Sequence, residues 1–252
     1  MRDRFTPLLA AWLRLLEPAC VRCRLPADSG LCPACVDALR AFPLPAAAAD
    51  DPAPVRAGLC WSPACAPLLR RYKFHGDLAA GAALARLVLP ELRQAARPEL
   101  LIPVPLHPAR LRRRGHDQAL ELARLWGREL GLPVAAEALR RVFDSRPQTR
   151  LSAAQRRRNL QGAFVARAGL PSSIALVDDV LSTGSTVRAA AAALRTAGVD
   201  GIQVWVLARA PGRPTARLGS GHEQVLHEHA TEQSGTHRLI GFEGTKAVGG
   251  MA

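Results

Sequence analysis

Residues 177–187 of the 252-residue chain read VDDVLSTGSTV. Asp178 and Asp179 are adjacent carboxylates at the end of an apolar run, and the hydroxyls of Ser182, Thr183, Ser185 and Thr186 follow around Gly184. Small residues and a glycine let successive backbone N–H groups face one anion, and a helix starting there adds the positive end of its dipole. Leu181 to Thr186 is therefore a candidate phosphate cradle. Carboxylates repel phosphate, so the two aspartates suit neutral hydroxyls or a bound Mg2+. A phosphate cup beside such a grip describes a ribose 5-phosphate. An ordinary strand–helix turn would need neither the adjacent acids nor the four hydroxyls.

A second constellation lies upstream. Cys20, Cys23, Cys32 and Cys35 form C-x2-C, eight residues, C-x2-C. Two residues between thiolates let a tight turn aim both sulfurs at one ion, and two such turns complete the tetrahedral four-sulfur shell of structural Zn2+. Gly30, Pro26 and Pro33 favour those turns. The competing arrangement, two disulfides, needs an exported chain. The apolar stretch LLAAWLRLL is short, broken by Arg14 and followed by Glu17-Pro18, which does not resemble a cleaved leader. It reads as a short helix, and the chain is expected in the cytoplasm. Cys60 and Cys65, spaced x4, read as buried free thiols.

These residues need elements to hold them. SIALVDDV (173–180) and GIQVWVLARA (201–210) read as strands, with a helix from about Ser185 to Ala197 between them, ended by Gly198. Strand, helix, strand at this spacing implies a parallel sheet, and ligands bind parallel sheets at the carboxyl ends of the strands. That is where Asp178, Asp179 and LSTGST fall. LLIPVPL (100–106) predicts a buried strand closed by prolines, HPARLRRRGHDQ a basic turn, and Asp117–Gly131 an amphipathic helix. PVAAEALRRV (133–142) predicts a further strand. FDSRPQTRLSAAQRRRNLQGAF predicts an Arg-rich loop folding back over something. PLPAAAADDPAPV reads as a linker after the cysteine module, and LLRRYKFHGDL as a basic lead into the helical pattern AAGAALARLVLPEL.

Charge narrows the ligand class. The formal charge is +13, and Lys73 and Lys246 are the only lysines. Beyond Gly212 acids and bases cancel, while residues 104–160 hold thirteen Arg against five acids. Such a surface suits phosphates, on a small substrate or along a nucleic-acid backbone. With eleven aromatics in the chain, a nucleic acid would be held through its backbone more than by stacking. No apolar run approaches the length of a membrane-spanning helix. The organisation expected is an N-terminal helix and cysteine module (1–50), an α/β domain (51–211), and a polar, His-bearing tail (212–252) without a packing period, read as disordered or loosely packed.

VDDVLSTGST resembles the signature of type I phosphoribosyltransferases. The order of features resembles the ComF/GntX-type family: a four-cysteine zinc module, PVPL followed by Arg110 and Arg114-Gly115, a Q-x-x-LS then R-x-x-N segment, and the VDDV loop. The resemblance covers residues 20 to about 210. It implies a type I phosphoribosyltransferase-like parallel sheet flanked by helices, preceded by the zinc knuckles, and a pentosyl transfer, substitution at C1 of 5-phosphoribosyl diphosphate. By it, Asp178 and Asp179 would hold the ribose hydroxyls with Mg2+, and Leu181–Thr186 the 5-phosphate. Val104 and Pro105, between Pro103 and Leu106, would occupy the pyrophosphate-loop position, with Arg110 and Arg114 beside them. Gln148, Leu151, Ser152, Arg156 and Asn159 match a hood-like segment, and Lys73 a lysine-bearing stretch near the domain's start. The chain departs at His116-Asp117, where the family usually has Phe-Asn. Some members of the family are linked to natural competence, which brings single-stranded DNA or DNA-processing proteins forward as partners. The resemblance also leaves room for a nucleic-acid-binding protein without turnover, or a sensor of a phosphoribosyl metabolite.

Overall fold

Apolar runs buried on both faces pair into one parallel sheet in this structure, a computed structural model that describes residues 18–142 and 162–211. The strands are β1 (Val55–Cys60), β2 (Leu100–Pro103), β5 (Ser173–Leu181) and β6 (Gly201–Arg209), in the order β1-β6-β5-β2. Every neighbouring pair is parallel, with Leu101 opposite Ala175, Val177 opposite Trp205 and Ala57 opposite Val206. All four strands therefore end at one rim. A separate antiparallel pair, β3 (Leu139–Arg141) with β4 (Phe164–Ala166), lies beside it.

The period-2 alternation of the strands sorts their side chains between two cores. Ile102, Ile174, Leu176, Val204 and Val206 pack with Phe164 and with Val187, Ala190, Ala191 and Leu194 of helix α6 (Ser185–Thr196). Leu101, Ala175, Val177, Trp205 and Leu207 pack on the opposite face. There they meet α2 (Ala66–His75), α3 (Leu78–Arg93) and α5 (Gln118–Leu130). Trp126 and Trp205 meet edge to face with centroids 6.4 Å apart, and the Trp126 indole N–H donates to the Ala85 carbonyl at 3.0 Å. Such a ring pair adds about 0.5–1.5 kcal/mol beyond burial. Gly81 lets α3 close on α2, because a Cβ there would stand 2.4 Å from the Tyr72 ring.

The sulfur module is built into the same core. Helix α1 (Pro33–Arg40) starts at its second Cys pair, and Cys20, Val21, Leu31, Cys35 and Leu39 share one hydrophobic cluster with α2 and α3. Arg71 of α2 donates to the Val21 carbonyl at 2.7 Å.

Four expectations need correction. Residues 133–142 are not one strand: Val134 makes a single parallel bridge to Leu101, and β3 then turns away to pair with β4. Glu137 and the small residues before it offer no continuous apolar run to hold the edge of the main sheet. The basic turn after Leu106 is largely helix α4 (Pro108–Arg114), capped by the His107 ring, which accepts from Ala109 N at 3.2 Å, and ended by left-handed Gly115. The basic lead at 68–78 is mostly α2, whose Leu68, Leu69 and Tyr72 are buried. The supposed linker runs directly into edge strand β1, and before it Asp50, Asp51 and Pro52 accept from Arg188, Arg209 and Arg195. The helix expected at the start of the chain, the hood-like segment and the tail all fall outside the described residues.

Candidate functional site

Asp178 and Asp179 lie toward the carboxyl end of β5, an interior strand of the sheet. Asp179 is 6% exposed, and its two carboxylate oxygens lie 3.1 and 2.8 Å from the Lys73 ammonium on α2. Burial, reinforced by the neighbouring charge of Asp179 and opposed by Lys73, pushes the Asp178 carboxyl up to about 7. Each carboxylate also turns back onto the chain, accepting from Asp179 N at 2.8 Å and Val180 N at 2.7 Å.

After Leu181 the chain turns through Gly184, left-handed at φ 67°, into α6. No side chain caps this helix, so its first N–H groups keep no side-chain acceptor. Thr183 and Ser185 hydroxyls lie 2.9 Å apart beside them. Leu181, Ser182, Thr183, Gly184, Ser185 and Thr186 line a hollow of about 50 Å3 with Asp178. The hollow adjoins a polar cleft of about 180 Å3 that contains Asp178, Asp179, Ser182 and Thr186. Across this cleft stand Val104 and Pro105 from the end of β2, Arg110 and Arg114 from α4, and Lys73. Arg156, Gln148, Leu151, Ser152 and Asn159 fall outside the described residues.

Three polar lining residues were given no place in the cleft by the sequence: Arg141, and Asp117 and Gln118 from the segment where the chain departs from the family's motif. Asp117 caps α5 by accepting from Leu120 N at 3.2 Å, and its other oxygen accepts from Leu106 N at 3.3 Å. It thereby ties the β2 exit loop to the helix. Burial raises its pKa, although the Leu120 and Leu106 N–H groups work against that rise. Gln118 is 2% exposed and contacts both Lys73 and Arg114. Arg141 is buried at the end of β3, its guanidinium 5.3 Å from the centre of the Phe164 ring. Its only signal in the sequence was parity with buried Leu139.

At the other constellation, the sulfurs of Cys20, Cys23, Cys32 and Cys35 all lie within 4.8 Å of one another. Cys23 and Cys32 are 3.5 Å apart. A tetrahedral zinc with Zn–S near 2.3 Å needs sulfurs about 3.8 Å apart, so the donor set fits. Arg24, left-handed at φ 68°, closes the first knuckle by donating its N–H to the Cys20 carbonyl at 2.9 Å. Pro33 opens α1 inside the second. Among the described residues no other cluster of three such ligands occurs. Cys60 and Cys65 are buried free thiols, and burial pushes Cys65 up to about 12.

No family model matches the chain. It is 42% identical to Competence protein F of Haemophilus influenzae over 153 residues, which is 57% of this chain and 67% of that one. It is 37% identical to DNA utilization protein YhgH of Escherichia coli K12 over 158 residues, 59% of this chain and 69% of that one. The chain belongs to the ComF-type family. In this ComF-type protein the unusual His116-Asp117 pair has a structural account. Asp serves as an N-cap as well as Asn does. The His116 ring lies 2.9 Å from the Tyr72 carbonyl and 3.1 Å from the Arg114 carbonyl, packed 5.9 Å from the Tyr72 ring. It bridges α2 and α4 where the family's usual Phe could only pack. No helix among the described residues of this ComF-type chain is long and apolar enough to cross a membrane.

Proposed function

We propose that the cleft binds 5-phosphoribosyl diphosphate or a closely related ribose phosphate, and that the protein transfers the pentosyl group. One observation carries this reading. Two carboxylates and an uncapped Ser/Thr-Gly loop open into the same cleft as Lys73, Arg110 and Arg114. The loop N–H groups and hydroxyls of 182–186 would take the 5-phosphate, the carboxylates the ribose hydroxyls, and the cations the diphosphate.

Substitution at C1 breaks the bond to the diphosphate oxygen as the acceptor's bond forms, with positive charge developing on the ribose. The carboxylates of Asp178 and Asp179 lie where they would favour that charge, and Arg110 and Arg114 where they would favour the departing anion. Hard carboxylate oxygens together with substrate oxygens are the donors Mg2+ takes, so Asp178 and Asp179 would hold it with the ligand, and it would supply charge neutralisation. The four cysteines would hold a structural Zn2+, with no coordination position left open for chemistry.

The names of the two relatives support a place in the use of incoming DNA, as single-stranded DNA or through proteins that process it. Calorimetry on the zinc-loaded chain tests the small-molecule part. Binding of phosphoribosyl diphosphate in the presence of Mg2+ is expected, and its loss in Asp178→Asn/Asp179→Asn. A wild-type chain that binds neither this ligand nor ribose 5-phosphate overturns the reading. The cellular part is tested by transformation frequency in a competent host carrying that double variant, which should fall toward that of a deletion.

A further inference from the structure

Gln118 is the first residue of α5, almost wholly buried, yet it lines the cleft. Its amide nitrogen donates to the Lys73 carbonyl at 3.2 Å. Its amide oxygen accepts from Arg114 Nη1 at 3.1 Å. Its backbone carbonyl accepts from the buried Tyr72 hydroxyl at 2.6 Å. One side chain thus touches the two elements that bring cations to the cleft, α2 and the end of α4. An amide suits this post because it offers an acceptor to the guanidinium and a donor to the carbonyl at once. A carboxylate would face the Lys73 carbonyl with another acceptor, and an apolar side chain would offer neither the acceptor nor the donor. Arg114 is held from the other side too, its guanidinium 5.3 Å from the centre of the Phe74 ring, and Phe74 is the neighbour of Lys73.

We infer that Gln118 is a positioning residue for diphosphate recognition: it fixes Arg114 and the Lys73 backbone so that both cations face one leaving group. This rests on the ribose-phosphate reading. The 5-phosphate loop lines an adjoining hollow that Gln118 does not reach, so the two ends of the ligand respond differently to its loss.

The test compares phosphoribosyl diphosphate with ribose 5-phosphate, by calorimetry with Mg2+ on the full zinc-loaded chain. Gln118→Met should lose about tenfold in affinity for the diphosphate, the scale of one hydrogen bond to a charged group, with ribose 5-phosphate held within about twofold. In an Arg114→Ala background the same substitution should add less than about twofold, since the guanidinium it orients is gone. If Gln118→Met does not fold, Gln118→Glu serves: its carboxylate would occupy Arg114 and lower diphosphate affinity selectively. A wild-type chain binding neither ligand overturns the ribose-phosphate reading. A wild-type chain binding both, with Gln118 variants that weaken the two ligands equally or not at all, overturns the positioning role alone.

Discussion

The sulfur cluster and the cleft are both clusters of polar groups set against one core, but they are held together by different means. The cleft is satisfied by the chain itself: Lys73 pairs with Asp179, Gln118 holds Arg114, and Asp117 caps α5 while holding Leu106. Its geometry stands before any ligand arrives. The sulfurs, three of them buried, have no oppositely charged side chain among the described residues salt-bridged to them in the way Lys73 meets Asp179. Arg22 donates to Cys35 at 3.6 Å and backbone N–H groups face Cys20 and Cys23, but the four sulfurs are crowded within 4.8 Å of one another. Four thiolates in so small a space repel unless an ion collects them. The difference separates a site whose geometry is preformed from one that would fold around its ion.

Removing the ion should therefore have the largest effect. Structural zinc binds small modules with roughly 10–16 kcal/mol, and its loss is a loss of folding energy. Stripping the chain with a strong chelator, or Cys35→Ser, should lower Tm by more than about 10 °C. A chromogenic indicator should count one zinc released per chain. Because Cys20, Val21 and Leu39 share a core with α2 and α3, amide exchange should accelerate in α1 and α2 while β5 and β6 stay protected. A melt indifferent to chelation would erase the contrast.

Asp117 tests the preformed cleft from the other side. Asp117→Ala removes a cap and leaves the Leu106 N–H without its acceptor, which should cost about 2 kcal/mol, or roughly 4–8 °C in Tm. Asp117→Asn, the residue the family usually carries, keeps the cap acceptor but loses the second oxygen that Leu106 N uses, and should cost half as much, roughly 1 kcal/mol. Equal losses in both would mean that the charge, and not the cap, matters.

Asp178 gives the next effect, with the opposite sign. Its folded pKa, about 7, lies above the unfolded carboxylate value, so the stability it contributes is present at low pH and is lost as pH rises through 7. Without ligand, Asp178→Asn should raise stability at pH 8 by about 1–2 kcal/mol and change little at pH 4. That gain should come together with loss of ligand binding. Higher stability at pH 4 than at pH 8 from this substitution would reverse the assignment.

What the sequence made legible follows the same division. Both chemical centres were readable because their residues lie close along the chain: C-x2-C twice, and VDDVLSTGST in one turn. Strands β5 and β6 and helices α5 and α6 were readable from apolar runs and caps. Helix α2 was not, because Arg70, Arg71 and Lys73 hide a buried stripe of Leu68, Leu69 and Tyr72. Edge strand β1 was not, because Arg56 and Gly58 break its pattern, and its Gly58 is required by Val88, which would stand 2.5 Å from a Cβ there. Asp117 and Gln118 looked like an ordinary helix start. Their partners Leu106, Lys73 and Arg114 come from the β2 exit loop, α2 and α4, and only the fold brings them together.

The segment joining the two regions gives the smallest effect, and it grades them. Asp51 pairs with Arg209 at 2.8 Å with side chains 16% and 10% exposed, whereas Asp50, 72% exposed, pairs with Arg188 at 3.2 Å. Removing Asp51 leaves a largely buried guanidinium without that carboxylate at the sheet rim, which should cost about 1 kcal/mol. Asp50→Ala breaks a solvent-screened pair and should stay within about 0.5 kcal/mol, fading further in high salt. Denaturant midpoints at two salt concentrations read both. If Asp50→Ala proved the costlier, the segment would be fastened at α6, the helix that follows the Ser182–Gly184 turn, and not at the rim of β6.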